Sequence, residues 1–335
     1  MDKLDAYLQA KERGVRWLLE QMHPDGSIGP VEAGVEYYRV PWAFAVSGRT
    51  VEAMRLTDWI ARNMCTPEGD FSGKYPRGAS YEGAFYAYPN ANLIYGAHLL
   101  RRFDISYRGI QWLIDHLFDA RSGGFFTEPG TSDESEIWLT TQCSLSCLVA
   151  GRLDIAEQTG AWLRRIWEDQ PDRENKLYHT FSSSKGLITD LTGKEPAART
   201  AYVVEREAER QWFFVPGIAA AFLVRLYLAT GKSDYLDLAK AYQSFAMRCT
   251  DRQFDVPQVC KTGWGAALLY LATREKQYQD WMIRVGDYFV ETQQKNGTWL
   301  NVAPYREPQH ILEITSEFVV HLDTIISTLI LAGKV

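Results

Sequence analysis

Six times along the chain, a helix with one apolar face hands over through a short turn to a segment that is apolar on nearly every side. The turns read PDGSIG (24–29), PEGDFSG (67–73), RSGGFF (121–126), ENKLY (174–178), DRQFD (251–255) and KNGTWL (295–300), and four of the six carry glycine. Segments 4–22, 50–64, 104–119, 152–169, 232–249 and 276–294 space their apolar residues at helical intervals between polar faces, so each is expected to bury one stripe. Segments 37–47, 85–100, 138–150, 209–229, 261–273 and 316–332 are apolar all round, and a helix of that kind lies inside. Six outer helices alternating with six inner ones predict an all-α fold, a single (α/α)6 toroid with an inner ring wrapped by an outer one. Strand-like alternation is too sparse to support another class.

Helix punctuation fits this frame. Gly48, Gly151 and Gly231 follow inner segments as C-cap glycines, and Asp104 and Ser233 stand where N-caps of the next outer helices are expected. The repeat runs from end to end without a Pro/Ser/Gly-rich linker, so residues 1–335 read as one domain. Residues 171–207 break the rhythm with a polar excursion before the fourth inner segment. Connections of that length often serve as lids or binding loops, which makes 171–207 the lid candidate.

A net charge of -6 and a pI near 5.6 offer no basic surface for nucleic acid or anionic lipid. No apolar run reaches the roughly 18 residues that cross a bilayer, and MDKLDAYLQAKERG lacks the apolar core of a signal peptide. Membrane insertion and nucleic acid are therefore not expected. Five cysteines without a CxxC pair suit free thiols in a reducing compartment, so the expected location is cytoplasmic. No Walker sequence and no strand-borne G-x-G-x-x-G occurs, and no nucleotide cofactor is expected.

In a closed toroid the first turns of the inner helices meet at one mouth. Their free N–H groups and positive dipole ends would favour an anionic or enolate-like intermediate there. Those turns carry Glu36, Tyr37, Tyr38, Arg39 and Trp42; Tyr86, Tyr88 and Asn90; Trp138, Thr141, Gln142 and Cys143; Glu209, Arg210, Gln211, Trp212 and Phe213; Cys260, Lys261 and Trp264; Glu317, Phe318, His321 and Asp323. Ionisable groups at the ends of buried helices are costly unless paired. They predict either a general acid/base site or a ring of ion pairs such as Glu36 with Arg39 and Glu209 with Arg210. Burial would raise carboxylate pKa values and lower that of Lys261.

Within this ring, His321 has the reference pKa suited to moving a proton near neutrality, with Glu317 one helical turn earlier. Glu209 with Arg210 forms a second candidate pair, and Lys261 a third candidate, for electrostatic stabilisation or an imine. Tyr37, Arg39, Trp42, Tyr86, Tyr88, Asn90, Trp138, Gln142, Trp212, Phe213, Cys260 and Trp264 are the candidate substrate-binding residues. Cys143 and Cys147, one turn apart, read as small hydrophobes or as thiol nucleophiles.

Gln293-Gln-Lys-Asn-Gly297-Thr-Trp299 matches a Q-x3-G-x-W signature, Gln21 to Gly26 is a degenerate copy, and Cys260-Lys-Thr-Gly-Trp264 forms a further echo. On these motifs the chain resembles the terpenoid cyclase/protein prenyltransferase superfamily of α/α toroids. RSGGFF also resembles turns of carbohydrate-active (α/α)6 enzymes such as sugar epimerases and unsaturated glucuronyl hydrolases. The first resemblance implies carbocation chemistry or a zinc site. The chain, however, contains no Asp-Asp dipeptide, and Gln258 stands where the prenyltransferase pattern has a zinc-binding Asp. No metal is expected, although Cys260 with His321 keeps a zinc alternative open.

The resulting expectation is a metal-independent, cofactor-free isomerase, cyclase or lyase. It would act by acid–base chemistry on a small, largely apolar molecule, isoprenoid- or polyketide-like, in an aromatic-lined cavity. A carbohydrate epimerase, lyase or glucuronyl-type hydrolase, and a non-catalytic or zinc-binding prenyltransferase-like scaffold, are the alternatives.

Overall fold

The computed structural model describes residues 2–29, 38–72, 86–130, 133–299 and 308–333. The outer helices are α1 (Lys3–Glu20), α3 (Thr50–Asn63), α5 (Phe103–Leu117), α7 (Leu153–Glu168), α10 (Ser233–Arg248) and α12 (Lys276–Thr292). The inner helices are α2 (Val40–Val46), α4 (Ala87–Leu99), α6 (Ile137–Val149), α9 (Val215–Thr230), α11 (Cys260–Thr273) and α13 (Pro308–Leu331). The two sets differ in burial as their patterns require. From Ala87 to Ala97 every residue of α4 is buried, whereas α5 buries a stripe containing Ile105, Gly109, Ile110, Leu113 and Leu117.

The inner helices close a ring. α2 packs on α4, α4 on α6, α6 on α9, α9 on α11, α11 on α13, and α13 returns to α2, while each outer helix lies against its own inner partner. Small residues permit the tightest of these approaches. A Cβ on Gly217 of α9 would lie 2.7 Å from the Lys261 carbonyl of α11, and one on Gly265 would lie 2.8 Å from the Gly217 carbonyl. That contact fixes the height of Lys261 in the ring.

The repeated turns have one mechanical job. Gly297 adopts φ +94, and a Cβ there would sit 2.5 Å from the Arg13 carbonyl of α1, so only glycine allows the turn to lie flat on the next outer helix. Gly26, Gly69 and Gly123 repeat this geometry against Arg55, Arg108 and Gln158. The Q-x3-G-x-W signature reinforces it where the last repeat meets the first. Gln293 donates to the Ala10 carbonyl at 2.8 Å and accepts from Arg13 Nε at 2.9 Å, while Trp299 Nε1 donates to the Phe289 carbonyl at 2.6 Å. The signature here is a ring clasp.

The structure departs from the sequence expectations at several points. Gly48, Gly151 and Gly231 do adopt positive φ after inner helices, but Arg102 and Lys232, not Asp104 and Ser233, occupy the N-cap positions. Asp104 instead accepts from the Arg102 guanidinium. The fourth inner helix begins at Val215, where Pro216 suits a first turn, so residues 209–214 belong to the preceding connection.

That connection contains β2 (Lys176–Tyr178), β3 (Thr180–Ser182), β4 (Gly186–Leu187), the one-turn α8 (Pro196–Arg199) and β5 (Val203–Glu205). β3 pairs antiparallel with both β4 and β1 (Glu134–Glu136), and β2 pairs with β5. The excursion is thereby stitched to the first turn of α6. Finally, α13 starts eight residues earlier than its pattern suggested. Its window His310–Leu331 has the length and apolarity to cross a membrane, at mean hydropathy 1.5, but 72% of that window is buried within the fold, as in a core helix.

Candidate active site

Three inner helices bring charges together at the centre of the ring. Arg39 is the N-cap residue of α2, Lys261 is the second residue of α11, and Glu317 lies well inside α13. All three are buried. Lys261 Nζ is 2.6 Å and Arg39 Nη1 3.3 Å from Glu317 Oε1. These are ion pairs by distance but fall outside hydrogen-bond angles, so neither Glu317 oxygen has a hydrogen-bond partner.

The remaining Arg39 donors are held in place. Nη2 donates to the Tyr88 hydroxyl at 2.5 Å, and Nε to Asn92 Oδ1 at 3.4 Å. His321 follows Glu317 by one turn, with Nε2 3.5 Å from the same Oε1, while its Nδ1 is buried without a partner.

Aromatic rings enclose the charges. The Trp264 and His321 ring centroids are 5.1 Å apart, Trp264 and Trp42 6.0 Å, Trp42 and Tyr95 4.4 Å, and Tyr88 and Trp138 4.6 Å. Lys261 Nζ lies 4.8 Å from the centroid of Phe214, a cation–π contact. Trp264 Nε1 and Gln142 Nε2 are further buried donors without partners. Buried polar atoms left without partners are uncommon, and their concentration around His321 and Trp264 is what marks this region as a candidate site.

The electrostatics reverse the sequence expectation for Glu317 and Lys261. Burial pushes the Glu317 carboxyl up, but Arg39 and then Lys261 outweigh it and hold the group well below the usual carboxylate range. Burial would lower the Lys261 ammonium, yet the Glu317 charge carries it above its ordinary value. A close ion pair in a low-dielectric interior overrides desolvation of either member. For His321 burial wins, and its pKa falls to about 4 despite Glu317. Burial, with the Glu317 charge added, also raises Glu313, whose Oε1 accepts from the Tyr38 hydroxyl at 2.7 Å.

Other expected residues lie elsewhere. Glu209 and Arg210 are exposed, because the inner helix starts after them. Glu209 pairs with Arg252 at 3.0 Å, and Glu209 and Arg210, the latter at φ 54, line a cavity of 550 Å³ over the excursion. Tyr86 and Asn90 both donate to Asp70, the latter at 2.8 Å, forming a separate polar knot. Phe213 is buried in the core, and its neighbour Phe214 is the residue that meets Lys261. Trp212 stacks on His179, ring centroids 5.7 Å apart, and borders the site through Trp138 and through Phe214, 6.0 Å away. Asp323 pairs with Lys11 at 2.6 Å. Glu36 and Tyr37 lie outside the described residues. The expected pair of Glu209 with Arg210 gives way to Glu209–Arg252, and Arg39 pairs with Glu317. Burial raises the thiols of Cys143 and Cys147, the latter to about 12, which leaves both unreactive near neutrality.

Sequence reasoning passed over Glu313 and Asn92, which flank the centre, and Glu136. Glu136 is the N-cap residue of α6 and accepts from Trp138 Nε1 at 2.6 Å. Burial pushes its carboxyl up to about 8, against that hydrogen bond. The sequence signal was present in Glu136-Ile-Trp138, a carboxylate opening an apolar helix.

The donor atoms of Cys260, Glu317 and His321 lie within 4.8 Å of one another. As ligand types they suit zinc. Their surroundings do not: Lys261 and Arg39 already crowd the Glu317 oxygen, and burial together with the Glu317 charge keeps the Cys260 thiol protonated. A divalent cation would add to two positive charges already in place, so the residues present do not fit a metal.

No protein-family model matches the chain, and no curated protein matches it in sequence. Solved structures match it over nearly its full length. A cellobiose 2-epimerase from Spirochaeta thermophila superposes with TM-score 0.67 at 12% identity, over 98% of this chain and 97% of that one. The chain is an (α/α)6 toroid. A D-mannose isomerase superposes on this toroid with TM-score 0.64 at 11% identity, over 94% and 96% of the two chains. A type II terpene cyclase from Scytonema, in complex with its substrate geranylgeranyl dihydroxybenzoate, gives 0.60 at 13% identity, over 97% and 99%. At these identities the likeness is one of fold.

Proposed function

We propose that this toroid is an enzyme that moves a proton on a small molecule held at its centre, in an isomerisation, cyclisation or elimination. The carrying observation is the Glu317–His321 pair. A neutral imidazole whose Nε2–H faces a fixed carboxylate keeps its lone pair on Nδ1, and Nδ1 is the buried atom without a partner. That atom is the general base, and Glu317 positions it. Arg39 and Lys261 supply fixed positive charge where an enolate or oxyanion would form, which lowers the barrier by electrostatic preorganisation.

The rings of Trp42, Trp138 and Trp264 suit an apolar or aromatic body, isoprenoid- or polyketide-like. No step calls on a metal or a nucleotide. The excursion 171–207 serves as a cover, tied to α6 through the β1–β3 pairing. A second reading, a sugar epimerase or isomerase, is favoured by the unpartnered donors Gln142 Nε2 and Trp264 Nε1, which would suit substrate hydroxyls. Fold neighbours include enzymes named for either substrate class: a cellobiose epimerase and a mannose isomerase on one side, a terpene cyclase on the other.

Native mass spectrometry of freshly purified protein identifies a retained ligand, which is then incubated with the protein in D2O. Wild type should exchange one carbon-bound hydrogen. His321→Asn should slow that exchange by about 10²-fold or more. Equal rates in the two proteins would remove His321 from the proposed role.

A further inference from the structure

Two of the recurring turns meet at a cavity that the charged centre does not use. The turn DRQFD (251–255) supplies Phe254 and Asp255, and KNGTWL (295–300) supplies Trp299. Pro257, Tyr288 and Thr292 of α12, and Phe318 of α13 complete the walls of this 180 Å³ cavity. Arg39, Lys261, Glu317 and His321 take no part in it. A cavity of about 150 Å³ holds a benzene, so this one has room for a group of that size.

Its walls are rings set at steep angles to one another. Trp299 and Phe318 have centroids 5.4 Å apart at 51°, Tyr288 and Phe318 6.3 Å at 57°, and Phe254 and Tyr288 5.6 Å at 72°. Rings so inclined enclose a hollow instead of stacking it shut. Phe289 stacks on Phe318 at 4.2 Å, and the Arg284 guanidinium lies 4.2 Å from the Phe254 centroid. Neither Phe289 nor Arg284 lines the cavity, so Phe318 and Phe254 turn their other sides to it. The floor is fixed, because Trp299 and Phe318 are buried and Trp299 Nε1 donates to the Phe289 carbonyl. Thr292 commits its hydroxyl to the Tyr288 carbonyl at 2.7 Å. Asp255 is the charged residue of the lining. It stands exposed at the rim and makes no ion pair among the described residues, whereas the nearby Arg284 is paired with Asp251 at 2.9 Å.

We propose that this cavity binds a small methyl-rich ammonium ion, its head against the rings of Phe254, Tyr288, Trp299 and Phe318 and within the field of Asp255. Aromatic faces carry negative potential and attract a quaternary ammonium group. A carboxylate at the rim adds to that attraction and repels anions. A neutral apolar group of equal size would gain the rings but nothing from Asp255. The site is distinct from the proton-transfer centre and stands whether or not that reading holds.

The test is calorimetry on the whole protein with choline, tetramethylammonium and neohexanol, the uncharged isostere of choline, at an ionic strength held constant with sodium chloride. At least one of the two ammonium ions should bind saturably in the millimolar range or below, and neohexanol should bind about fivefold more weakly than choline or worse. Asp255→Asn, at an exposed position, should leave Tm unchanged and weaken ammonium binding about threefold or more, and Tyr288→Leu should weaken it at least as much. Sedimentation with phosphatidylcholine vesicles distinguishes a lipid headgroup, which would carry the protein down, from a free ammonium ion, which would not. Equal affinity for choline and neohexanol, no binding of either ammonium ion, or unchanged affinity in both variants overturns the proposal.

Discussion

Lys261 Nζ lies 2.6 Å from Glu317 Oε1 and thereby ties the first turn of α11 to the middle of α13. Arg39 adds α2 to the same knot. Glu317→Gln would leave two buried cations facing an amide, and breaking a buried pair in this way costs about 3–5 kcal/mol. Urea unfolding should show that loss. Adding Lys261→Met to Glu317→Gln should recover part of it, because one of the stranded charges is then gone. Additive losses in the double variant would mean that the two side chains do not interact.

Glu136 gives a pH signature. Its carboxyl has an ordinary value of 4.5 and is pushed by burial to about 8 in the fold. Between those values the folded protein holds a proton that the unfolded chain has released, so this group's contribution to stability falls as pH rises from 4.5 to 8. Glu136→Gln keeps a neutral acceptor for Trp138 without that penalty. Its Tm relative to wild type should therefore be higher at pH 8 than at pH 4.5. A difference that does not change with pH would show that Glu136 does not titrate in this window.

Gly297→Ala tests the ring clasp. At φ +94, with the Arg13 carbonyl 2.5 Å from the new Cβ, the substitution should cost about 1–3 kcal/mol. Any ligand binding measured at the centre should be unaffected, since Gly297 touches none of the charged residues there. A stability equal to wild type would mean that the turn can lift from α1 without penalty.

The two cations against Glu317 also make a statement about metal. Protein purified without chelator should contain no stoichiometric zinc, and added Zn²⁺ should not raise Tm as a ligand of the folded state would. One zinc per chain, lost in Cys260→Ser and in His321→Asn, would contradict the argument from those two cations and restore Cys260, Glu317 and His321 as a metal centre.

The fold was readable because burial on every side leaves a mark that no surface helix carries: Ala87 to Ala97 and Cys260 to Tyr270 have no polar face to give away. Gly26, Gly69, Gly123 and Gly297 punctuate the repeat because each must lie against a backbone. Much of the site was legible for a related reason. Arg39, Lys261, Glu317 and His321 stand out as ionisable residues within apolar helices.

What the sequence could not supply was pairing across the ring. Arg39 meets Glu317 across 278 positions of chain, and that pairing reversed the pKa shift expected for Glu317. Glu209 and Arg210 were misplaced because the apolar pattern runs smoothly through Trp212-Phe213-Phe214, while the helix starts at Val215 beside Pro216. The strands of the excursion are two or three residues long, too short to leave a period in the sequence.

The most direct measurement is ¹⁵N NMR of the His321 imidazole, assigned by comparison with His321→Asn. The account predicts a neutral ring at pH 7, protonated on Nε2 and bare on Nδ1, that takes up a second proton only near pH 4. An imidazolium at pH 7, or a neutral ring with its proton on Nδ1, would contradict it, because the atom assigned to accept the substrate's proton would already be occupied.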